Sequence, residues 1–262
     1  MVDLCKVTEL GKATQYHQQY NRQVLVAVPR PSNTTPHYGY DVWRCWEMSW
    51  LDPQQRPVTA ALRISYPASS PCIVESKSLK LYLGSFNFTT FPDSLQLLKT
   101  IQCDLSYTVG ALVKTELLTD TTRSTPHGQC IDDAKVQHVT SMPEASLLSI
   151  YSQSTAEETL YSNTFRSCCP VTAQPDWATI VLDYRGPTMC QHSLASYLFG
   201  YRNHAAFHES CITQIYTDIQ QQCQPEALTI TGYFTRRGGL DINPCRSSTP
   251  DIECNDLMLP RQ

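Results

Sequence analysis

Two stretches in the first half of the chain, 42–50 and 58–66, are dense in aromatic and β-branched residues and flank the polar run Asp52-Pro53-Gln54-Gln55. That pattern predicts two antiparallel strands joined by a hairpin connection. A short helix is predicted over 78–83 and a longer one over 94–105, where apolar residues recur at helical spacing, and then a strand over 110–117. The second half repeats the order. Residues 164–169 and 177–184 form a strand pair around Gln174-Pro175-Asp176. Leu194, Tyr197, Leu198 and Tyr201 then fall at i, i+3, i+4 and i+7. Phe207, Cys211, Ile215 and Ile219 make a second helical stripe, and 228–234 alternates as a strand.

The halves also share an echo. Ser78-Leu79 with Tyr82-Leu83 and Phe86 matches Ser193-Leu194 with Tyr197-Leu198 and Tyr201 at identical spacings, which predicts two copies of a strand-strand-helix-helix-strand module. The expected organisation is an irregular arm over 1–40, a first module over 41–118, a linker rich in Ser, Thr and Pro over 119–158, and a second module over 159–262. The fold class this predicts is α+β.

Composition narrows the function. A chain of 262 residues with a hydrophobic fraction of 41% has apolar surface enough to fold without a metal or disulfide staple. The formal net charge of −4 offers no general attraction to nucleic acid or to anionic membranes. Residues 1–24 contain no apolar run of the signal-peptide kind, and no span is long enough to cross a bilayer, so the expected compartment is the cytoplasm. The 12 cysteines are too sparse in a chain of this length for a disulfide scaffold, and reduced thiols are expected. Cys5, Cys45, Cys72, Cys103, Cys223 and Cys254 are read as small apolar residues, and His17, His37, His127 and His138 as surface residues.

Candidate chemistry concentrates in four places. In the run from Cys168-Cys169-Pro170 to Gln174-Pro175-Asp176-Trp177, a cysteine ending one strand and an aspartate opening the next can meet at the hairpin mouth, with the carboxylate exchanging the thiol proton. The alternative is a core thiol beside an ordinary turn aspartate. Phe207-His208-Glu209 opens a helix, where Glu also has a purely electrostatic preference. Glu75-Ser76-Lys77-Ser78 is open to two readings, a helix cap or a phosphate-binding corner. Arg236-Arg237-Gly238-Gly239 allows close backbone approach and bidentate phosphate contacts, or is a solvated turn. The glycines form neither G-x-G-x-x-G nor a P-loop, so any dinucleotide binds outside a Rossmann crevice. Cys168, Cys169, His204, His208 and Cys211 could supply zinc ligands, but they include no paired C-x-x-C.

Taken together, these runs resemble the NADPH-dependent 7-cyano-7-deazaguanine reductases, in the branch whose chains hold two modules. The resemblance rests on residues 75–83 with Ser85-Phe86-Asn87, Cys169 through Asp176-Trp177, Phe207-His208-Glu209, and the run from Tyr233 to Pro244. Cys130-Ile131-Asp132-Asp133, Gly11-Lys12 and Val28-Pro29-Arg30 fit as well. It implies a tunnelling fold (T-fold) of two tandem modules of antiparallel strands backed by helices. The implied reaction is the four-electron reduction of a nitrile to a primary amine on the route to queuosine in tRNA, with two NADPH consumed per turnover. Cys169 is the implied nucleophile, forming a thioimide, Asp176 the proton acid and base, and His208 an assistant in proton movement. The resemblance further implies base recognition by Val74, Glu75, Ser76, His208 and Glu209, and NADPH contacts from Ser76, Lys77, Arg237 and Gly238. No metal is implied, and a homodimer is expected, acting on a free nucleobase without direct nucleic acid binding. Cys168 stands where Asn is expected and Ala173 where His is frequent, and the seven-residue step to Asp176 favours Cys169. Two rival readings remain: a zinc hydrolase of the same fold resembling type I GTP cyclohydrolase, and a catalytically silent base-binding module.

Overall fold

The computed structural model describes residues 18–31, 37–250, 252 and 257–262. Cys5, Gly11, Lys12, His17 and Cys254 lie outside the described residues. The chain forms two compact units that are discontinuous in sequence. The first holds Val42–Thr121 and Arg236–Asp241 with the described residues before 32, and the second holds Thr122–Thr235, Ile242–Gln262 and the described residues of 37–41.

In the first unit, β1 (Ala27–Pro29) pairs antiparallel with β4 (Cys72–Val74), so the expected arm contributes a strand of its own. β2 (Tyr40–Leu51) and β3 (Pro57–Pro67) are the predicted strand pair, and β5 (Lys114–Leu117) completes the order β5-β3-β2. Helix α1 (Ser76–Gly84) begins one residue after Glu75, and α2 (Ser94–Val109) buries Leu97, Ile101, Asp104, Leu105 and Val109 along one stripe. Each fully buried aliphatic side chain of this kind contributes about 1.5–3 kcal/mol. Asp93 caps α2 through the Gln96 N–H, and Gly110 ends it at φ 72°. That left-handed turn is why the strand predicted from 110 starts only at Lys114.

The second unit carries β6 (Gln129–Cys130), β7 (Ile150–Cys168), β8 (Pro175–Met189), helices α3 (Gln191–Phe199) and α4 (His208–Cys223), β9 (Ala227–Phe234) and, from Ile242 on, β10 (Leu240–Ser247). Its strand order is β10-β9-β8-β7-β6, antiparallel except for the two-residue parallel contact of β6 with β7. β7 has 19 residues, far more than the predicted six, and its first part takes in the end of the expected linker. The core packs Ile180, Leu182 and Ile230 of the sheet against Leu194, Tyr197, Ile215 and Ile219 of the helices.

The echo between the halves is structural. α1 and α3 each have 9 residues, and α2 and α4 each have 16. Ser78 Oγ donates to the Glu75 carbonyl at 2.7 Å and accepts from the Val26 N–H at 3.1 Å. Ser193 Oγ repeats both contacts, to the Cys190 carbonyl at 2.8 Å and from the Ser149 N–H at 3.1 Å. The Tyr82 hydroxyl donates to Asp104 at 2.7 Å, and the Tyr197 hydroxyl to Asp218 at 2.5 Å, so a Tyr–Asp bond ties the helix pair in both units. The hairpin connections correspond too. The Asp52 N–H donates to the Arg56 carbonyl and its own carbonyl accepts from Gln55, while the Cys169 N–H donates to the Gln174 carbonyl and its carbonyl accepts from Ala173. Gln55 and Ala173 both turn the chain at positive φ, 62° and 55°. Asp52 therefore holds in the first copy the place that Cys169 holds in the second.

Candidate active site

The β7–β8 hairpin builds one end of the candidate site. Cys168 lies opposite Pro175 and Ser167 opposite Asp176, so Cys169 is the first residue past the last pair and Asp176 the second residue of β8. Both are buried. The Cys168 thiol points to the Arg202 carbonyl, 3.5 Å away, and its backbone is held on both sides by the His204 carbonyl and the Ala206 N–H. Those contacts commit Cys168 to the wall of the hairpin.

His208 is the first residue of α4, and its Nε2 lies 3.3 Å from Asp176 Oδ2. The imidazole stacks on Phe234, which ends β9, with ring centroids 3.8 Å apart and planes 14° from parallel. A flat stack plus one polar contact leaves the ring little freedom, which pre-organises its nitrogen toward the carboxylate. Glu209 follows, buried, with its backbone carbonyl accepting from Thr213 Oγ1 at 2.8 Å. Cys211, one turn further, has its thiol pushed up to about 12, by burial first and then by the negative charge of Asp176 and Glu209, against a hydrogen bond from Ser167. It stays a neutral thiol at physiological pH. His204 is held below the usual imidazole range by burial.

The structure thus brings Cys169, Asp176, His208 and Glu209 to one region of the second unit. Val74, Glu75, Ser76 and Lys77 belong to the first. There Glu75 caps α1: Oε1 accepts from the Lys77 N–H at 2.9 Å and Oε2 from the Ser78 N–H at 2.7 Å. The cap reading of Glu75-Ser76-Lys77-Ser78 is therefore correct, and it leaves further lone pairs on a fully buried carboxylate. In the structural repeat Cys190 takes the place of Glu75, and Leu95 the place of Glu209. Each copy keeps one of the two carboxylates.

A cavity of about 370 Å³ opens in the first unit between β2, α1 and the turn at Gly238-Gly239, lined by Lys77, Lys80, Glu47, Asn87 and apolar residues including Met48 and Leu81. Its size falls in the range of small-molecule sites. Of the four residues expected to contact NADPH, Lys77 and Gly238 line this cavity, while Ser76 precedes Lys77 and Arg237 precedes Gly238 in the chain. Arg237 and Leu240 exchange backbone hydrogen bonds around the turn, which passes through Gly238 at φ 59° and Gly239 at φ 81°. Arg236 is engaged elsewhere, its guanidinium 4.4 Å from the centroid of the Trp46 ring. A lining of two lysines, apolar side chains and glycine backbone fits a phosphate-bearing ring compound, so the residues present suit a dinucleotide. Lys80 and Glu47 were not foreseen as site residues; Lys80 follows Lys77 by three positions, which on a helix puts both on one face.

Among the described residues no group of three or more His, Cys, Asp or Glu side chains is arranged to hold a metal ion. Among the described residues no helix is long and apolar enough to cross a membrane.

Comparison with known proteins identifies the family. The family model for "Nitrile reductase, 7-cyano-7-deazaguanine-reductase N-term" matches residues 16–117, and that for "QueF-like protein" matches 175–251, placing the chain among the nitrile reductases. It is 43% identical over 264 residues to the NADPH-dependent 7-cyano-7-deazaguanine reductase of Acinetobacter baylyi, covering 97% of each chain. It is 42% identical over 280 residues to the enzyme of that name from Legionella pneumophila, covering 99% of this chain and 96% of the relative. The chain belongs to the NADPH-dependent 7-cyano-7-deazaguanine reductase family, and its α+β architecture is that family's tandem tunnelling fold.

Proposed function

We propose that this chain reduces the nitrile of 7-cyano-7-deazaguanine to the primary amine of 7-aminomethyl-7-deazaguanine, with two NADPH per turnover, through a thioimide on Cys169. The observation that carries the reading is the 3.3 Å contact of Asp176 with His208 at the mouth of the hairpin that Cys169 opens.

The Cys169 sulfur adds to the nitrile carbon, and the thiol proton passes through Asp176 to the nitrile nitrogen, so an inert triple bond becomes a C=N bond carrying the sulfur. NADPH, when bound, supplies the two hydrides that convert this carbon to a CH₂ group. Cys169 leaves as thiolate between them, and Asp176 with His208 delivers the protons that balance the four-electron reduction. His208, held by its stack on Phe234, returns Asp176 to the correct protonation state. Glu75 and Glu209 accept N–H bonds from the guanine-like edge of the base, with Val74 and Ser76 completing that contact. Lys77 and the Arg237-Gly238 turn, together with Ser76, hold the dinucleotide, the cations favouring its 2′-phosphate.

The product feeds queuosine formation in tRNA. The net charge of −4 supports action on the free base rather than on tRNA itself, and we place the enzyme in the cytoplasm as a homodimer. The test is NADPH absorbance loss with 7-cyano-7-deazaguanine, counted against amine formed. A ratio of two is expected. Binding of the nitrile without NADPH oxidation would make the chain a silent base-binding module instead.

A further inference from the structure

The geometry points to Glu47 as the residue that sets how readily the dinucleotide enters and leaves the Lys77–Lys80 cavity: its carboxylate is an internal anion that occupies Lys80 until a phosphate displaces it. This inference rests on the dinucleotide reading of that cavity.

Glu47 lies on β2 and Lys80 on α1, and both line the cavity. Their charged ends are 3.9 Å apart, with side chains 68% and 51% exposed. The turn below them is glycine at both positions. A Cβ on Gly238 would lie 2.8 Å from Lys80 Nζ, and one on Gly239 would lie 2.5 Å from Glu47 Cδ. The charged ends of both side chains thus lie against the glycine turn, within reach of any ligand that approaches its bare backbone.

A pair at this distance, this exposed, is weak and easily opened. It is also sited to matter. NADPH carries a pyrophosphate and a 2′-phosphate, so a carboxylate beside this lysine weakens binding through both repulsion and competition for Lys80. The proposed reaction uses two NADPH per amine. The first spent dinucleotide has to leave and a second has to enter while the partly reduced substrate stays in place, and an internal competitor for Lys80 favours that exchange over tight retention.

The experiment is titration of the full-length protein with NADPH and with NADP⁺, following intrinsic tryptophan fluorescence, for the wild type, Glu47→Gln, Lys77→Met, Lys80→Met and the Glu47→Gln/Lys80→Met double variant. Glu47→Gln is expected to tighten both ligands by about two- to fivefold at low ionic strength, with the gain shrinking at high salt as screening removes it. In the steady state it deepens NADP⁺ product inhibition. Lys80→Met weakens both ligands, and in that background Glu47→Gln loses most of its effect. Weaker binding by Glu47→Gln would make Glu47 a direct contact to the ligand and overturn the inference, as would unchanged affinity. If Lys77→Met and Lys80→Met both leave NADPH affinity untouched, the dinucleotide reading of the cavity itself fails.

Discussion

Replacing Asp176 by Asn isolates the proton-transfer step with little change of shape. The side chain is 3% exposed and its partner His208 12%, so the site is largely dry and the carboxylate has few solvent substitutes. Asn keeps an oxygen acceptor within reach of His208 Nε2 but cannot take or return a proton. General acid–base catalysis contributes roughly 10²- to 10⁴-fold. The loss expected in the rate of adduct formation is therefore of that order, about 3–5 kcal/mol on the barrier. Under the proposed recognition of the base by Glu75 and Glu209, which this change leaves untouched, affinity for the base should change by no more than a few fold. The assay is single-turnover mixing of enzyme and nitrile without NADPH, followed by quenched mass analysis. His208→Phe provides the second leg: it retains the stack on Phe234 but removes Nε2. If His208 works through Asp176, Asp176→Asn/His208→Phe is no slower than Asp176→Asn alone. An Asp176→Asn enzyme that forms adduct within about threefold of the wild-type rate would refute the assignment of Asp176.

Three further outcomes test the framework. Burial holds Asp218 above the usual carboxylate range, despite its bonds from Tyr197 and Gln214, so its favourable contribution is complete at low pH and is lost as pH rises from about 4 through the folded value. Asp218→Asn should therefore gain on the wild type in melting temperature as pH rises over that window, and a difference independent of pH would contradict this. Arg246 and Asp41 form a fully buried pair at 2.7 Å, so Arg246→Met should cost about 3–5 kcal/mol in denaturant unfolding, with part recovered by also neutralising Asp41; a cost below 1 kcal/mol would contradict the burial of the pair. Burial pushes the Cys211 thiol up to about 12 and that of Cys223 up to about 11. Under native alkylation with peptide mapping both should stay unlabelled while exposed Cys103 reacts, and early labelling of Cys211 would contradict the packing around it.

The parts of the fold that were legible are those where side-chain periodicity decides structure. Tyr197, Leu198 and Tyr201 mark a buried helical stripe, and their echo at Tyr82, Leu83 and Phe86 marks the repeat. The Tyr82–Asp104 and Tyr197–Asp218 bonds that complete the repeat were not legible, because their partners lie a helix and a turn away and leave no periodic trace. The long start of β7 was hidden for another reason. Residues 150–158 are mostly Ser, Thr, Glu and Tyr, which read as a linker, yet backbone pairing with β8 needs no apolar side chain and holds them extended. The site divides in the same way. Cys169, Asp176, His208 and Glu209 stood out as candidates because a cysteine and a carboxylate lay close in sequence and a His-Glu pair opened a helix, and the structure sets them in the same unit. Glu47 was not, since a lone carboxylate on a mostly apolar strand has no sequence signal, and it acquires meaning only when α1 sets Lys80 beside it.

The most direct test of the account is intact-protein and peptide mass spectrometry after mixing the enzyme with 7-cyano-7-deazaguanine in the absence of NADPH. Addition of a thiol to a nitrile expels nothing, so the predicted result is a mass gain equal to the whole substrate, carried by the peptide containing Cys169, absent in Cys169→Ala and retained in Cys168→Ala. No adduct in the wild type, or an adduct that survives in Cys169→Ala and disappears in Cys168→Ala, would contradict it.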